Sequence, residues 1–205
     1  MKIKIILLVC LLIALTGCQK EETNVQQSGR QDKQQNTNGR QNIAPETGLA
    51  NAGFETGELS KSGRVEGWHF EQHAGPASYE FTLDKEIFHG GSRSLKITNI
   101  GAEPYGVAQQ KIPVHGLRGK EAILSAWIRT ENADGTGAGL TIRMLNSGAI
   151  LAYNFMSEAL VEGTQDWKQY SISLQVPERA TDIEVGIMLQ GKGMVWADDF
   201  ELTFK

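Results

Sequence analysis

The chain has 205 residues and a formal net charge of −4 at pH 7, from 20 lysines and arginines against 24 aspartates and glutamates. This acidic balance argues against nucleic acid as a partner, because phosphate binding needs an excess of Lys and Arg. It also provides no basic patch for anionic lipid headgroups.

An apolar run, residues 5–15, follows Lys2 and Lys4 at the N-terminus. The run is too short to cross a bilayer, which takes about 20 residues, and its charged start is typical of a secretory signal. It ends in LTGC, residues 15–18, which resembles the lipobox of a bacterial lipoprotein. The resemblance implies that residues 1–18 are the signal peptide and lipobox, and that Cys18 carries the lipid. The alternative is an ordinary signal peptide cleaved nearby.

Lipidation of Cys18 implies a membrane partner and a location. The protein would be lipid-anchored at the cell membrane or outer membrane, facing the periplasm or the exterior. The other cysteine, Cys10, lies in the apolar run that processing removes. No thiol is then left for a disulfide, a zinc site or a nucleophile.

Residues 19–44 form a polar segment dominated by Gln, Asn and charged side chains. Such a segment buries too little apolar surface to offset its loss of conformational entropy, so it is predicted to be a disordered tether. A Gln-rich binding tract is the alternative.

Residues 45–205 have the length of one domain, since single cores typically span ~100–200 residues. Between Gly, Asn and Asp turns, the segments are short and rich in β-formers, or alternate with period two. They predict strands near residues 78–83, 94–100, 106–114, 122–130, 139–145, 150–155, 168–176, 183–189 and 194–202. No segment has a convincing helical stripe. The expected fold class is all-β, an antiparallel β-sandwich or jelly roll.

Six motifs follow one another along this domain. They are NAGFETG (residues 51–57), GW (67–68), GGSRSLKI (90–97), LSAWIRT (124–130), GTQDWKQYSISLQVP (163–177) and VWADDFEL (195–202). Their order and spacing resemble those of the carbohydrate-binding modules of families 4, 9 and 22, over nearly all of residues 45–205. The resemblance implies a galactose-binding-like jelly roll. It is less specific for activity, because this fold serves sugar binding, protein contacts and structural roles alike.

Asp198 is a carboxylate inside an apolar strand. Alternation counted back from Leu202 places it on the apolar face with Phe200 and Trp196. An ionised carboxylate there costs several kcal/mol unless it is paired. The family resemblance implies that Glu55 and Asp198 bind a structural Ca²⁺, with backbone carbonyls completing the shell. The alternatives are a pair with Arg93 or Lys96, or a solvated strand end.

The candidate glycan site consists of aromatic and hydrogen-bonding side chains on the polar faces of strands. Aromatic rings stack on sugars, while Arg, Gln and Asn bond sugar hydroxyls. The residues selected by alternation are Trp127, Arg129, Arg143, Tyr153 and Gln190, joined by Gln110, whose parity is ambiguous. The alternative is that a loop covers Trp127 and that Arg129 pairs with a surface acid. Trp68, Trp167 and Trp196 stand at motif positions that favour packing.

Motifs for catalysis are absent from the sequence: there is no GxSxG elbow, no HExxH and no phosphate-binding Gly loop. The expected function is therefore non-catalytic: a membrane-anchored lipoprotein whose jelly roll binds polysaccharide or glycan. The alternative is an envelope lipoprotein whose jelly roll contacts other proteins, or serves as an accessory subunit to a separate enzyme.

Overall fold

The structure is a computed structural model that describes residues 48–61 and 63–205. The signal peptide, Cys18 and the tether of residues 19–44 lie outside the described residues. Every regular element within the described residues is a β-strand: Arg64–Val65 (β1), Trp68–Gln72 (β2), Tyr79–Asp84 (β3), Ser94–Asn99 (β4), Tyr105–Pro113 (β5), Glu121–Asn146 (β6), Ala149–Asn154 (β7), Val161–Gln175 (β8) and Asp182–Phe204 (β9). Across this part of the chain, nothing forms a helix that could span a membrane.

The strands form one curled antiparallel sheet whose two halves pack face to face. The half that we call the front sheet runs in the order β1-β2-β5-β9-β6-β7, using residues 182–190 of β9 and 137–146 of β6. The half that we call the back sheet runs β3-β4-β9-β6-β8, using residues 194–204 of β9 and 121–131 of β6. The all-β, antiparallel sandwich expected from the sequence is confirmed.

β6 and β9 pass from one sheet to the other without a break. The sequence predicts two strands in place of each, near residues 122–130 and 139–145 and near 183–189 and 194–202. The joining residues stay paired, because Gly135 and Gly191 are partners in the ladder and both adopt positive φ. A backbone with positive φ is accessible to glycine at little cost, so the strands bend while keeping most of their hydrogen bonds.

The core lies between the two sheets and is built by alternation along the strands. On β6, Leu140, Ile142 and Met144 are fully buried in the front sheet, and Leu124 and Ile128 are fully buried in the back sheet. Each fully buried side chain of this kind stabilises the fold by about 1.5–3 kcal/mol. The core residues of β6 therefore hold both halves of the curled sheet together.

An aromatic cluster closes one end of the core. Trp68 lies 5.0 Å from Phe54 and 4.8 Å from Phe200, ring centroid to ring centroid. The packing role expected for Trp68 and Trp196 agrees with their exposed fractions of 2% and 1%. Trp167 is only partly buried.

The prediction that Asp198 and Trp196 share the apolar face of the strand with Phe200 is wrong, although both side chains are buried. The pairing of β9 with β6 skips a residue, since Ser125 pairs with Glu201 while Trp127 pairs with Asp198. The extra residue, Asp199, has a φ of 48°. A bulge reverses the alternation, so Phe200 faces the core while Asp198 and Trp196 face outward with Trp127.

Candidate functional site

A groove crosses the outer face of the front sheet. The residues that form its floor lie on five neighbouring strands, where they alternate with residues that face the core. One row across the sheet joins His69, Gln109, Gly186 and Thr141, and the next joins Lys111, Glu184, Arg143 and Tyr153. These side chains point away from the core, because their neighbours Ala108, Val185 and Ile142 are fully buried in it.

The groove contains two cavities that meet at Glu71, Gln109 and Arg143. The larger one, which we call the wide cavity, has a volume of about 710 Å³, and the smaller one, the narrow cavity, about 250 Å³. Together they fall in the range of small-molecule and sugar sites. The groove therefore offers an extended surface with a constriction in its middle.

The two cavities differ in chemistry. The wide cavity is lined by His69 and by charged residues that include Arg64, Lys111 and Glu184, with Leu145 and Ile150 at one side. The narrow cavity has apolar walls made by Tyr105, Val107, Phe155 and Met188, with Gln72, Thr141 and Gln190 as polar groups. Ring-shaped ligands with both apolar and hydroxyl surfaces suit the narrow cavity.

A network of hydrogen bonds and ion pairs fixes the floor where the cavities meet. Arg143 Nη2 forms an ion pair with Glu184 and donates to Gln109 Oε1. Gln109 Nε2 in turn donates to Glu71 Oε2 at 3.0 Å. His69 Nε2 lies 3.6 Å from a carboxylate oxygen of both Glu71 and Glu184. The network thus closes on itself and holds each side chain in one orientation.

Glu184 stays ionised within this network. Burial alone would raise the pKa of Glu184, but the nearby His69 ring and the positive charge of Arg143 outweigh burial and hold that pKa below its usual value. The carboxylate is 8% exposed, so its charge is compensated by these partners and little by water.

The rim of the groove beyond β7 is aromatic. The Tyr153 ring stacks on the Phe155 ring at 4.7 Å between centroids, and Tyr153 is 61% exposed. A Cβ on Gly139 would contact Leu160 and Met156, so residues 155–160 pack over β6 at that point. This segment closes the groove beside the narrow cavity.

The six residues predicted to bind glycan lie in three places. Arg143 and Gln190 line the groove, and Tyr153 stands at its rim. Gln110 is 4% exposed on the core side, where its amide donates to Ala50 O at 2.9 Å and accepts from Ala50 N at 2.8 Å. Gln110 fixes the N-terminal segment of the domain and does not reach the groove.

Trp127 and Arg129 are on the outer face of the back sheet, away from the groove. The Trp127 ring is covered by His89, which stacks on it at 3.8 Å between centroids. Arg129 Nη1 pairs with Asp166 Oδ1 at 2.6 Å. This is the arrangement of the alternative interpretation, in which a loop covers Trp127 and a surface acid takes Arg129. Alternation along a strand indicates which side chains face outward, but it does not indicate to which of the two sheets they belong.

The sequence reasoning missed most of the groove lining, including the network residues His69, Glu71, Gln109 and Glu184 and the cations Arg64 and Lys111. His69 and Glu71 alternate with Trp68 and Phe70, which pack in the core or against it, and Gln109 is the residue of the QQ pair that faces outward. The signal was present as period-two alternation. It was obscured because β2 is short and contains two aromatic residues of five.

Glu55 and Asp198, the expected calcium ligands, hold the same loop, residues 89–93. Asp198 Oδ2 accepts hydrogen bonds from the backbone N–H of His89 at 2.9 Å and of Gly90 at 3.1 Å. Glu55 accepts hydrogen bonds from Ser92 N at 3.0 Å and from Ser92 Oγ at 2.7 Å. Burial raises the pKa of Asp198 to about 6, against the lowering effect of its N–H donors.

The donors around this loop fit calcium in their chemistry. A Cβ on Gly53 would lie 3.6 Å from Asp198 Oδ1, 3.4 Å from Asp199 Oδ1 and 3.9 Å from Glu55 Cγ, so two carboxylates and the stem of a third acidic side chain lie near that point. Asp198 is fully buried and has no cationic partner among the described residues. Calcium prefers such oxygen donors. As oriented here, no three acidic, His or Cys side chains in the described part of the chain form a ready metal cluster.

Comparison with known proteins agrees with the fold. The sequence model of a family described as "Carbohydrate binding domain" matches residues 48–197. Among solved structures, a family 22 xylan-binding domain from Paenibacillus barcinonensis has 14% identity and a TM-score of 0.55, covering 75% of this chain and 91% of that one. A family 61 carbohydrate-binding module in complex with beta-1,4-galactotriose has 19% identity and a TM-score of 0.51, covering 77% and 97%. At these identities the likeness shows the fold alone.

A curated relative is a Bacillus subtilis protein named as an uncharacterized HTH-type transcriptional regulator. It is 29% identical over an alignment of 141 positions, which covers 66% of this chain. The chain spans 46% of the length of that relative.

Proposed function

The chain belongs to this family of carbohydrate-binding domains, and we propose that it binds a polysaccharide or another glycan in the groove of the front sheet, without catalysis. The observation that carries the proposal is the network of Glu71, Gln109, Arg143 and Glu184, closed by His69, beside the apolar narrow cavity. Fixed donors and acceptors bond sugar hydroxyls without a further ordering cost, while apolar walls cover the ring faces.

Two carboxylates in a groove raise the question of glycoside hydrolysis. A hydrolase of the usual kind needs one carboxylic acid with a raised pKa as the proton donor. Glu184 has a lowered pKa and is held by Arg143 and His69, so it remains an acceptor at neutral pH. The network therefore supports binding and does not supply a general acid at Glu184.

The test is binding of the full chain to a panel of polysaccharides, with Arg143→Ala compared with Arg129→Ala. We expect Arg143→Ala to weaken binding at least tenfold, because it removes a charged donor from the floor and takes away the ion-pair partner of Glu184. Arg129→Ala is the matched control, since it removes an arginine from the back sheet.

Three results would count against the proposal. Loss of binding in Arg129→Ala with retention in Arg143→Ala would move the site to the back sheet. An equal weakening of binding in both variants would show that binding does not depend on the groove. Absence of binding across the panel by the folded protein would favour the protein-contact alternative.

The proposed function includes a lipid anchor on Cys18. The LTGC sequence at residues 15–18 supports it, together with the apolar run before it. The protein would then be held at the cell membrane or outer membrane and would present its groove to glycan at that surface. Labelling cells with a radioactive fatty acid should mark the wild type and leave Cys18→Ser unlabelled. Equal labelling, or none in either, would contradict the anchor.

A structural calcium ion is also proposed, held by Glu55 and Asp198 with backbone carbonyls nearby. Its support is the convergence of carboxylates at Gly53 and the buried, cation-free Asp198. Calcium at 100 times Kd would stabilise the fold by about 2.7 kcal/mol. Thermal unfolding should therefore occur at a higher temperature with calcium than with a chelator. The difference should vanish in Asp198→Asn, and an identical midpoint in both conditions would exclude a structural ion.

A further inference from the structure

The wide cavity is more basic than the acidic chain around it would suggest. Its lining contains the three cations Arg64, Lys111 and Arg143 against the two carboxylates Glu71 and Glu184, with His69 counted as neutral. The whole chain has a net charge of −4. Positive charge is thus concentrated in the part of the surface where a ligand would lie.

The carboxylates of the wide cavity already have partners within the protein. Glu184 is paired with Arg143, and Glu71 accepts from Gln109. Both are also within 3.6 Å of His69. Their negative charge is therefore largely compensated on the floor of the groove.

The other two cations of the cavity are accessible to a ligand, although the charge of Lys111 also helps to lower the pKa of Glu184. Arg64 and Lys111 are both exposed, and neither makes an ion pair within the described residues. Lys111 is the neighbour of Glu184 across the β5–β9 ladder, which places it beside the fixed network. Arg64 belongs to β1, at the edge of the front sheet. Two unpaired cations thus line one cavity next to a rigid set of hydrogen-bonding groups.

We propose that the glycan bound in the groove is anionic, with its negatively charged group at Arg64 and Lys111 in the wide cavity and an uncharged ring in the narrow cavity. The inference rests on the proposed function, since it names the substrate class of the same site. The anionic group is a carboxylate or a phosphate on the sugar, and both offer oxygen acceptors for Lys and Arg.

The division of the groove supports this assignment of the two parts of the ligand. The walls of the narrow cavity are Tyr105, Val107, Phe155 and Met188, with no lysine among its lining residues. A charged group there would lose water and gain Arg143 alone, which is already paired with Glu184. In the wide cavity the same group would remain partly hydrated between two unpaired cations.

The experiment measures affinity of the full chain for matched pairs of polymers that differ in charge alone. One pair is polygalacturonate and its fully methyl-esterified form, and the other is a phosphomannan before and after removal of its phosphate. The variant Arg64→Gln/Lys111→Gln is compared with Lys120→Gln, an exposed lysine outside the groove. Because both substituted residues are exposed, the double variant should remain folded, which its thermal unfolding checks before binding is compared.

The charged member of at least one pair should bind more tightly, and which pair shows it distinguishes carboxylate from phosphate. The ratio of the affinities for the charged and the uncharged polymer should fall about two- to fivefold for each cation removed. It should also fall in 0.5 M salt, as expected for partly exposed charges. Lys120→Gln should keep it.

Two results would overturn the inference and leave the proposed function intact: equal affinity for both members of each pair, or a preference unchanged in the double variant. Failure of the wild type to bind any of these polymers or any neutral glycan would overturn the proposed function, and the inference with it.

Discussion

A single residue, Gly186, sets the depth of the groove. It lies in the floor between its ladder partners Gln109 and Thr141. A Cβ at this position would lie 2.0 Å from the backbone oxygen of Ala108 on the neighbouring strand. The absence of a side chain therefore keeps the two strands close and leaves the centre of the floor open.

Gly186→Ala should destabilise the protein and weaken glycan binding. The added Cβ contacts backbone, which cannot rotate away, so we expect a loss of about 2–3 kcal/mol in the free energy of unfolding. Gly48→Ala is the control, because a Cβ there meets nothing within 4 Å. Urea unfolding measures the change. A Gly186→Ala protein as stable as the Gly48→Ala protein would show that β5 and β9 can separate without cost.

The identity of the site residues could be predicted from sequence only in part. Arg143 and Gln190 were selected correctly as outward-facing, and both line the groove. Trp127 is outward-facing too, but its part of β6 belongs to the other sheet. Alternation within one strand carries no information about which strands lie beside it. That information comes from pairing over long distances, as between β6 and β9.

Among the strands, the bends of β6 and β9 decide the fold. At the bend, the ladder shifts register between Glu131 and Asp134 and again between Gly135 and Gly137. Gly193 stands opposite this region with a φ of 94°, and a Cβ on it would lie 2.2 Å from the backbone oxygen of Asn132. Close approach of the two backbones allows one strand to serve both sheets.

Gly193→Ala should be much more destabilising than Gly148→Ala. Both glycines have a φ near 90°, at 94° and 90°, so both substitutions have a similar conformational cost, about 1 kcal/mol or more. Gly148 has no atom within 4 Å of an added Cβ, whereas Gly193 would clash with backbone. Comparison of their free energies of unfolding isolates the clash, which we expect to add about 2 kcal/mol. Equal losses would mean that the bend tolerates a wider separation of β6 and β9.

Strands were predictable from sequence where they alternate regularly, and less so where they bend. The predicted segment 78–83 differs from β3, Tyr79–Asp84, by one residue at each end. The sequence predicts no strand at residues 131–138, because Gly135 and Gly137 indicate a turn when read locally. In the structure this segment is part of β6. The pairing that keeps this segment extended comes from β9, and no local pattern reports it.

The two faces of the whole molecule differ in composition. The front face carries the groove, and the back face carries the His89–Trp127 stack and the Arg129–Asp166 pair. Each sheet also contains a carboxylate with a lowered pKa: Glu184 in front and Asp84 behind. Burial would raise the pKa of Asp84, but the hydrogen bond from Trp196 Nε1 to Asp84 Oδ2, at 2.8 Å, and the Glu86 N–H outweigh it.

These two carboxylates make the stability of the whole molecule sensitive to acid. A carboxyl group whose pKa is lower in the folded state contributes stability above its unfolded pKa of about 4–4.5, and this contribution is lost as the pH falls through the folded pKa. Both sheets should therefore weaken as the pH is lowered from about 5 to 3. The unfolding temperature at a series of pH values measures this effect.

Glu184→Gln should separate the contribution of Glu184 to the acid sensitivity of stability from the contributions of the other carboxyl groups. At pH 7 the variant should lose about 2 kcal/mol, because Arg143 remains partly buried without its carboxylate partner. As the pH falls, the difference between variant and wild type should narrow, since the wild type then protonates Glu184 and loses the same charge. Glu80→Gln, at an exposed position of β3, is the matched control. A difference that stays constant from pH 7 to 3 would mean that the charge of Glu184 does not stabilise the front sheet, and that the groove floor is held by packing and neutral hydrogen bonds instead.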